Sequence, residues 1–385
     1  MVNLECAEPG ERGQALVVMV FAVIALLVAL GLAIDGGMIM LDRRRMQNAS
    51  DAGALAGTRL LAHAICSDGA DDAAIVAEVN RYAERNGVPD TDGESGNAVN
   101  GNVVADYVNF DEVVLGRVGA GVIPNGTTGV SVTARINRPT YFVSLIGIDT
   151  AGASAAALAM TGPPSVGGGV RPFGVPIQVI NNVDVGDCFH ISFGNCDQDE
   201  CNVNYTGGQT QHRGWMNLDY VWNNTEADAF PRANSSNPGG QLKEWMKNGW
   251  NGTLYADCIG WSTGCRNGDF IHAKPGTEQD VINVAPIGEV IYLPIYDAFP
   301  DCDGHAPDIP WPYPTSPNAC TGMQGADYYH IIGFAAVEVT GTSTPDHSIS
   351  MCLEETIWGQ GQPSSSGGYG SGACATHTMA LTLWK

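Results

Sequence analysis

Residues 15–34 read ALVVMVFAVIALLVALGLAI, a run of 20 residues without a charge. As an α-helix rising about 1.5 Å per residue, it spans roughly 30 Å, the thickness of a bilayer's hydrocarbon core. No other feature restricts the fold as strongly, because the backbone of such a run in lipid must satisfy its own hydrogen bonds. A cleaved secretory signal is the competing reading, and it calls for a basic leader, a shorter apolar stretch and a small-residue cleavage site. Here the leader carries Glu5, Glu8 and Glu11 against Arg12, and no A-x-A site directly follows the run. The expectation is a retained, single-pass transmembrane helix in the lipid bilayer of the cell membrane.

Orientation sets two signals against each other. Arg43, Arg44 and Arg45 follow the run, and basic residues beside a span tend to stay in the cytoplasm. Of the eleven cysteines, only Cys6 precedes the run, which leaves an even set of ten after it. None of them forms a CxxC pair or a zinc-ligand pattern, so they read as disulfides, which persist in oxidising compartments. Asp35 and Asp42 dilute the arginine cluster, and a large domain translocates in spite of it. The cysteines therefore decide the expectation of an extracytoplasmic C-terminal domain. Close spacing suggests the pairs Cys196–Cys201 and Cys258–Cys265, with Cys302–Cys320 and Cys352–Cys374 as longer ones. Cys66 and Cys188 are then left to join two domains or stay free.

Ala25, Ala29, Ala33 and Gly37 recur every four residues, as do Ala49, Gly53 and Gly57 further on. Small side chains at this spacing let another helix approach closely in lipid. A four-residue step exceeds the 3.6-residue turn and drifts about 40° each time, so the two ridges do not make one straight seam. They suit two contacts, one with a helix in lipid and one outside it, with the chain's own strands or another subunit. Residues 14–66 read as one long helix, half in lipid and half beyond it.

The stretch Arg12-Gly13-Gln14, the apolar run, and then AIDGGMIMLDRRRMQNASDAGALAGTRLL carry a family resemblance. The features are an Asp-Gly-Gly exit at Asp35 to Gly37, an Arg-Arg-x-Gln step at Arg44 to Gln47, and the Asp51 to Gly57 segment. Together they resemble the N-terminal module of TadE/TadG-like Flp pilus-assembly proteins. Residues 130–162, VSVTARINRPTYFVSLIGIDTAGASAAALAMTG, resemble the strand and Ala-rich segment that close that module. The resemblance implies a structural or assembly role in Tad-type pili, with Tad pilus-assembly components, or self-association through helices, as partners. The chain departs from type IV prepilins, which have Glu five residues into the mature chain. Gly13 would put Val18 there, and Gly10 would put Ala15. The DxSxS metal motif of some TadG-like proteins is also missing from the sequence.

Beyond the helix, residues 73–86 have apolar Ile75, Val79 and Tyr82 on one helical face, stopped by Gly87 and Pro89. Short alternating runs at 103–108, 113–118 and 130–136 read as strands. TGPPSVGGGV has the composition of a linker. The expected organisation is a leader (1–14), the long helix (15–66), an α+β module (67–162), a linker (163–170) and a β-rich extracytoplasmic domain (171–385). The fold class is thus α+β, with a mainly-β, disulfide-bonded C-terminal part. That part reads as short strands between Gly, Pro and Asn turns, with one short helix at 241–250 and a low-complexity loop at 359–372.

Charged residues make up only 15% of the chain and the formal net charge is −23. An acidic chain without a basic patch excludes nucleic-acid binding. No H-E-x-x-H, G-x-S-x-G, Walker loop or G-x-G-x-x-G after a strand occurs. No cofactor and no catalytic residue are expected. Asp197, Asp199 and Glu200, between Cys196 and Cys201, are a weak candidate for calcium, since oxygen ligands cluster there without an EF-hand frame. Seven of the eight tryptophans (Trp215, Trp222, Trp245, Trp250, Trp261, Trp311 and Trp358) are expected mainly in the core. An exposed aromatic strip would instead mark a tethered surface-binding module, an adhesin or carbohydrate binder. The first expectation is a membrane-anchored, minor-pilin-like component of a Tad-type pilus or cell-envelope structure.

Overall fold

The computed structural model describes residues 12–66, 71–91, 93, 100–194, 202–206, 208–211, 214–222, 239–256, 270–274, 276, 278–296, 328–358, 362–363 and 378–384. No proline occurs between residues 10 and 88, and a single helix, α1 (Arg12–Cys66), runs 55 residues, about 80 Å. Up to Leu30 it stands clear of the other described residues: Leu16, Phe21 and Leu26 are all about two-thirds exposed. From Gly31 onward one stripe becomes buried, through Asp35, Asp42, Met46, Ala49, Ser50, Gly53, Ala54, Gly57, Thr58 and Leu61. Spacings of three and four keep those positions on one helix face.

That face is covered by α2 (Asp72–Arg85) and by a sheet. Asp71 caps α2 by accepting the Ala74 N–H at 2.8 Å, and Gly87, at φ +97°, turns the chain away after its end. Ile75, Val79 and Ala83 are buried in the core shared with α1. The strands β1 (Val103–Val108), β2 (Val114–Arg117), β3 (Gly129–Pro139) and β4 (Thr150–Gly162) follow, and β3–β4 form a long antiparallel hairpin from Gly129↔Met160 to Pro139↔Thr150. Among the described residues this sheet has the order Thr356–Trp358, Thr378–Trp384, β4, β3, β1, β2. Its core joins Met46, Leu61, Val79, Tyr107, Val130 and Val132.

The C-terminal strand Thr378–Trp384 therefore belongs to the N-terminal module's sheet. It pairs antiparallel with β4, Ala380 opposite Gly162 and Trp384 opposite Leu158. The Thr161 hydroxyl donates to Ala380 O, and the Trp384 indole donates to Glu112. The stretch expected as a linker also differs. Pro164–Gly168 is the central strand of a three-stranded sheet, between Thr253–Tyr255 and Gln362–Pro363. Gly167 is required there, since a Cβ would lie 2.0 Å from the Trp358 ring.

The remaining described strands build a nine-stranded sheet whose spine is Tyr328–Ser343. It pairs antiparallel with Val290–Tyr296, Ser348–Glu354 and Phe270–Lys274. Its core is a second, separate cluster rich in aromatic rings. Phe193 stacks on Trp215 at 3.9 Å, and Tyr292 stacks on Trp358 at 4.5 Å. Trp215, Trp245 and Trp358 are buried, and Trp250 packs partly against the cluster. The helix expected at 241–250 lies at Gly239–Asn248. Two single helical turns, Ile177–Ile180 and Gln279–Ile282, lie among these strands.

One bridge corrects an expected pairing. Cys352 bonds to Cys188, not to Cys374. The two sit opposite each other on the neighbouring antiparallel strands Cys188–Ser192 and Ser348–Glu354, with Cα atoms 3.9 Å apart. Sheet register, which sequence distance does not reveal, brings together residues 164 positions apart. Cys196, Cys201, Cys258, Cys265, Cys302, Cys320 and Cys374 lie outside the described residues.

Candidate membrane anchor and helix–sheet seam

Four polar residues punctuate the buried stripe of α1: Asp35, Asp42, Ser50 and Thr58. Steps of seven and eight residues are close to two helical turns each, so all four stay on the stripe. Each grips β3 or the loop it leads into. Asp35 accepts the backbone N–H groups of Tyr141, Phe142 and Val143 at 3.0, 2.9 and 2.8 Å. Asp42 pairs with the Arg138 guanidinium at 3.0 Å and with Arg45 at 3.6 Å. The Ser50 hydroxyl accepts the Ala134 N–H at 3.1 Å and donates to Ala155 O at 2.8 Å. Thr58 repeats the motif, accepting from Val130 N at 3.2 Å and donating to Ala159 O at 3.1 Å.

The two hydroxyls use cross-strand partners. Ala134 faces Ala155 and Val130 faces Ala159 across β3–β4, so each hydroxyl links an N–H of one strand to a C=O of its neighbour. The dimensions agree: eight helical residues rise about 12 Å and four strand residues about 13 Å. Helix and strand thus stay in step, running in opposite directions, for two successive contacts. At the far end Asp72 makes a matching clamp, accepting from the Tyr107 hydroxyl at 2.7 Å and Gly119 N at 2.8 Å.

The small residues divide near the end of the apolar run. Ala49, Gly53 and Gly57 are buried against the chain's own elements. A Cβ on Gly57 would lie 2.6 Å from Val79 and 3.4 Å from Val130; one on Gly53 would lie 3.3 Å from Val132 and 3.4 Å from the Val79 carbonyl oxygen. Ala25, Ala29, Ala33 and Gly37 are exposed, and nothing lies within 4 Å of a Cβ built on Gly37. In the arginine cluster, Arg43 and Arg44 are exposed while Arg45 leans on Asp42.

A pocket of about 90 Å³ opens between α1 and the end of the hairpin, lined by Asp35, Met38, Asp42, Arg138 and Tyr141 among others. A wider groove of about 460 Å³ lies where the His63 imidazole meets Glu355 at 3.1 Å. Asp197, Asp199 and Glu200 are outside the described residues, so the structure adds nothing to the calcium candidate. Ser50 and Thr58 are not singled out by the apolar pattern, and the sequence marks Asp35 only through the Asp-Gly-Gly exit and, with Asp42, as a diluent of the arginines. Their signal was present: polar residues at two-turn spacing on the same face as Ala49, Gly53 and Gly57.

Comparison with known families meets this geometry. Residues 13–77 match the Flp pilus-assembly TadE/G-like family model, which covers α1 and the start of α2. Residues 62–159 match the Tad-like Flp pilus-assembly model, which continues through α2 and the sheet into β4. The N-terminal module thus matches the Tad-like Flp pilus-assembly families over residues 13–159. The two matches together span the seam of the Tad-like module and end in the strand that pairs with the chain's C-terminus. No curated protein and no solved structure matches the chain.

Proposed function

We propose that this chain is a membrane-anchored, minor-pilin-like structural or assembly component of a Tad-type pilus, its β-rich part held outside the cytoplasm. The observation that carries the proposal is the continuity of α1. One unbroken helix carries a 20-residue apolar run, exposed except at Gly31, and then becomes the core element of the Tad-like module. Such a helix presents the apolar ridge Ala25, Ala29, Ala33 and Gly37 to neighbouring helices in the bilayer. The Cys188–Cys352 bridge supports the outward placement, since a disulfide persists in an oxidising compartment. An assembly role calls for no catalytic group and no cofactor. The buried tryptophans speak against a binding strip built from them.

The test has two arms. Cells are quenched with a thiol-blocking reagent and the chain is mapped without reduction. A Cys188–Cys352 peptide pair is expected, and a chain blocked at both thiols would reverse the orientation. The membranes are then solubilised and the full-length chain is pulled down. Co-purification of Tad pilus components is expected, together with loss of piliation when the gene is deleted. Normal piliation in the deletion strain would remove the assembly role.

A further inference from the structure

The hairpin loop between β3 and β4 presents a cluster of exposed apolar side chains. Residues 140–148, TYFVSLIGI, contain no charge, and Val143–Ile146 form a 3₁₀ turn. Four large apolar side chains point outward: Tyr141 is 68% exposed, Phe142 41%, Leu145 84% and Ile148 51%. The loop is seated on α1 at a defined height. A Cβ on Gly31 would lie 2.7 Å from the Phe142 Cβ, so the ring packs on the helix at Gly31. Gly31 lies inside the apolar run, three residues or about 4–5 Å before its end.

We infer that the β3–β4 hairpin tip is a second membrane-contacting element, which dips into the same bilayer leaflet that α1 leaves at Ile34. The inference rests on residues 15–34 being the membrane anchor. If they are, Phe142 already sits at lipid depth, and the exposed Leu145 continues the apolar surface of the span.

A loop at that depth needs its backbone polar groups satisfied within the protein. Here Asp35 takes three successive N–H groups, those of residues 141–143. Thr140 N bonds to Asp149 O, Leu145 N to Phe142 O, Gly147 N to Ser144 O and Ile148 N to Val143 O, while the Ser144 hydroxyl donates to Tyr141 O. The buried carboxylate at the membrane exit then has a role: it carries the turn's unpaired donors where water is scarce. Two contacts with one leaflet, helix and tip, would hold the sheet at a set height above the membrane, where a helix alone leaves it free to swing.

The test uses the full-length chain in vesicles of phosphatidylethanolamine and phosphatidylglycerol, with a photo-crosslinking phenylalanine analogue placed singly at residues 26, 145 and 122. Leu26 lies in the span, and Val122 is equally apolar and 67% exposed but sits in the loop before β3, at the far end of the sheet. All three side chains are exposed, so the core is untouched. Lipid adducts are expected at positions 26 and 145, with several-fold lower yield at 122. Lipid adducts at 26 but not at 145, or adducts at 145 only to another protein chain, would overturn the inference and leave the anchor standing. Absence of lipid adducts at 26 would overturn both.

Discussion

Gly57 shows how one missing side chain sets a packing distance. Its α-carbon lies so close to Val79 and Val130 that even a methyl group would overlap Val79. Gly57→Leu forces α2 and β3 off the helix, at a cost of about 1–3 kcal/mol typical of overpacking. Gly37→Ala meets nothing within 4 Å and gains helix propensity, about 0.5–1 kcal/mol. We expect Gly57→Leu to lower the thermal midpoint of the detergent-solubilised chain and Gly37→Ala to leave it unchanged or raise it, with equal membrane insertion for both. Equal midpoints for the two variants would show that the close approach at Gly57 carries no energy. Any loss of assembly in Gly57→Leu then follows from a misplaced sheet in the same chain.

At the scale of elements, the seam between α1 and the β3–β4 hairpin is a matched pair of rulers. Apolar contacts along it slide readily, whereas Ser50 and Thr58 admit one register, because each hydroxyl needs its own N–H and C=O. Ser50→Ala and Thr58→Val each leave two buried backbone groups without that partner, at about 1–3 kcal/mol each. The sites are about 12 Å apart along the helix, so the losses should add. Hydrogen exchange on the intact chain should show lost protection at Ala134 N–H in the first variant and at Val130 N–H in the second. Unchanged protection at both amides would mean the strands pair as well without the hydroxyls.

At the scale of the whole molecule, two separate cores are tied together by a strand that arrives last in the chain. Thr378–Trp384 completes the sheet of the Tad-like module, and its Thr378 hydroxyl accepts the Ala336 N–H from the spine of the other sheet. Trp384 adds an edge contact to Phe110, ring centroids 5.4 Å apart. His63 and Glu355 make a further cross-link between α1 and the C-terminal part. Removal of residues 378–385 should therefore destabilise the N-terminal module, far away in sequence. Limited proteolysis of the truncated, membrane-bound chain should cut within β4 and the β2–β3 loop, where the intact chain resists. Resistance equal to that of the intact chain would show the strand to be dispensable.

Local pattern was enough for several elements whose signal is periodic. The uncharged run, the helix over residues 14–66, α2 from Ile75 and Val79, and β1 at Val103–Val108 are each written in consecutive residues, since spacing alone says which face is apolar. So was the family resemblance, which rests on contiguous motifs in residues 12–61 and 130–162. Partnership was decided by the tertiary structure. That Cys188 bonds Cys352, that Asp35 holds the 141–143 turn, and that Thr378–Trp384 closes the N-terminal sheet depend on register between segments roughly 100 to 220 residues apart. The apparent linker at Pro164–Gly168 failed for the same reason, since a Gly-Pro stretch reads as loose until Trp358 is found lying against Gly167. Periodicity records what a segment turns towards the core, whereas the identity of the neighbour is a property of the folded whole.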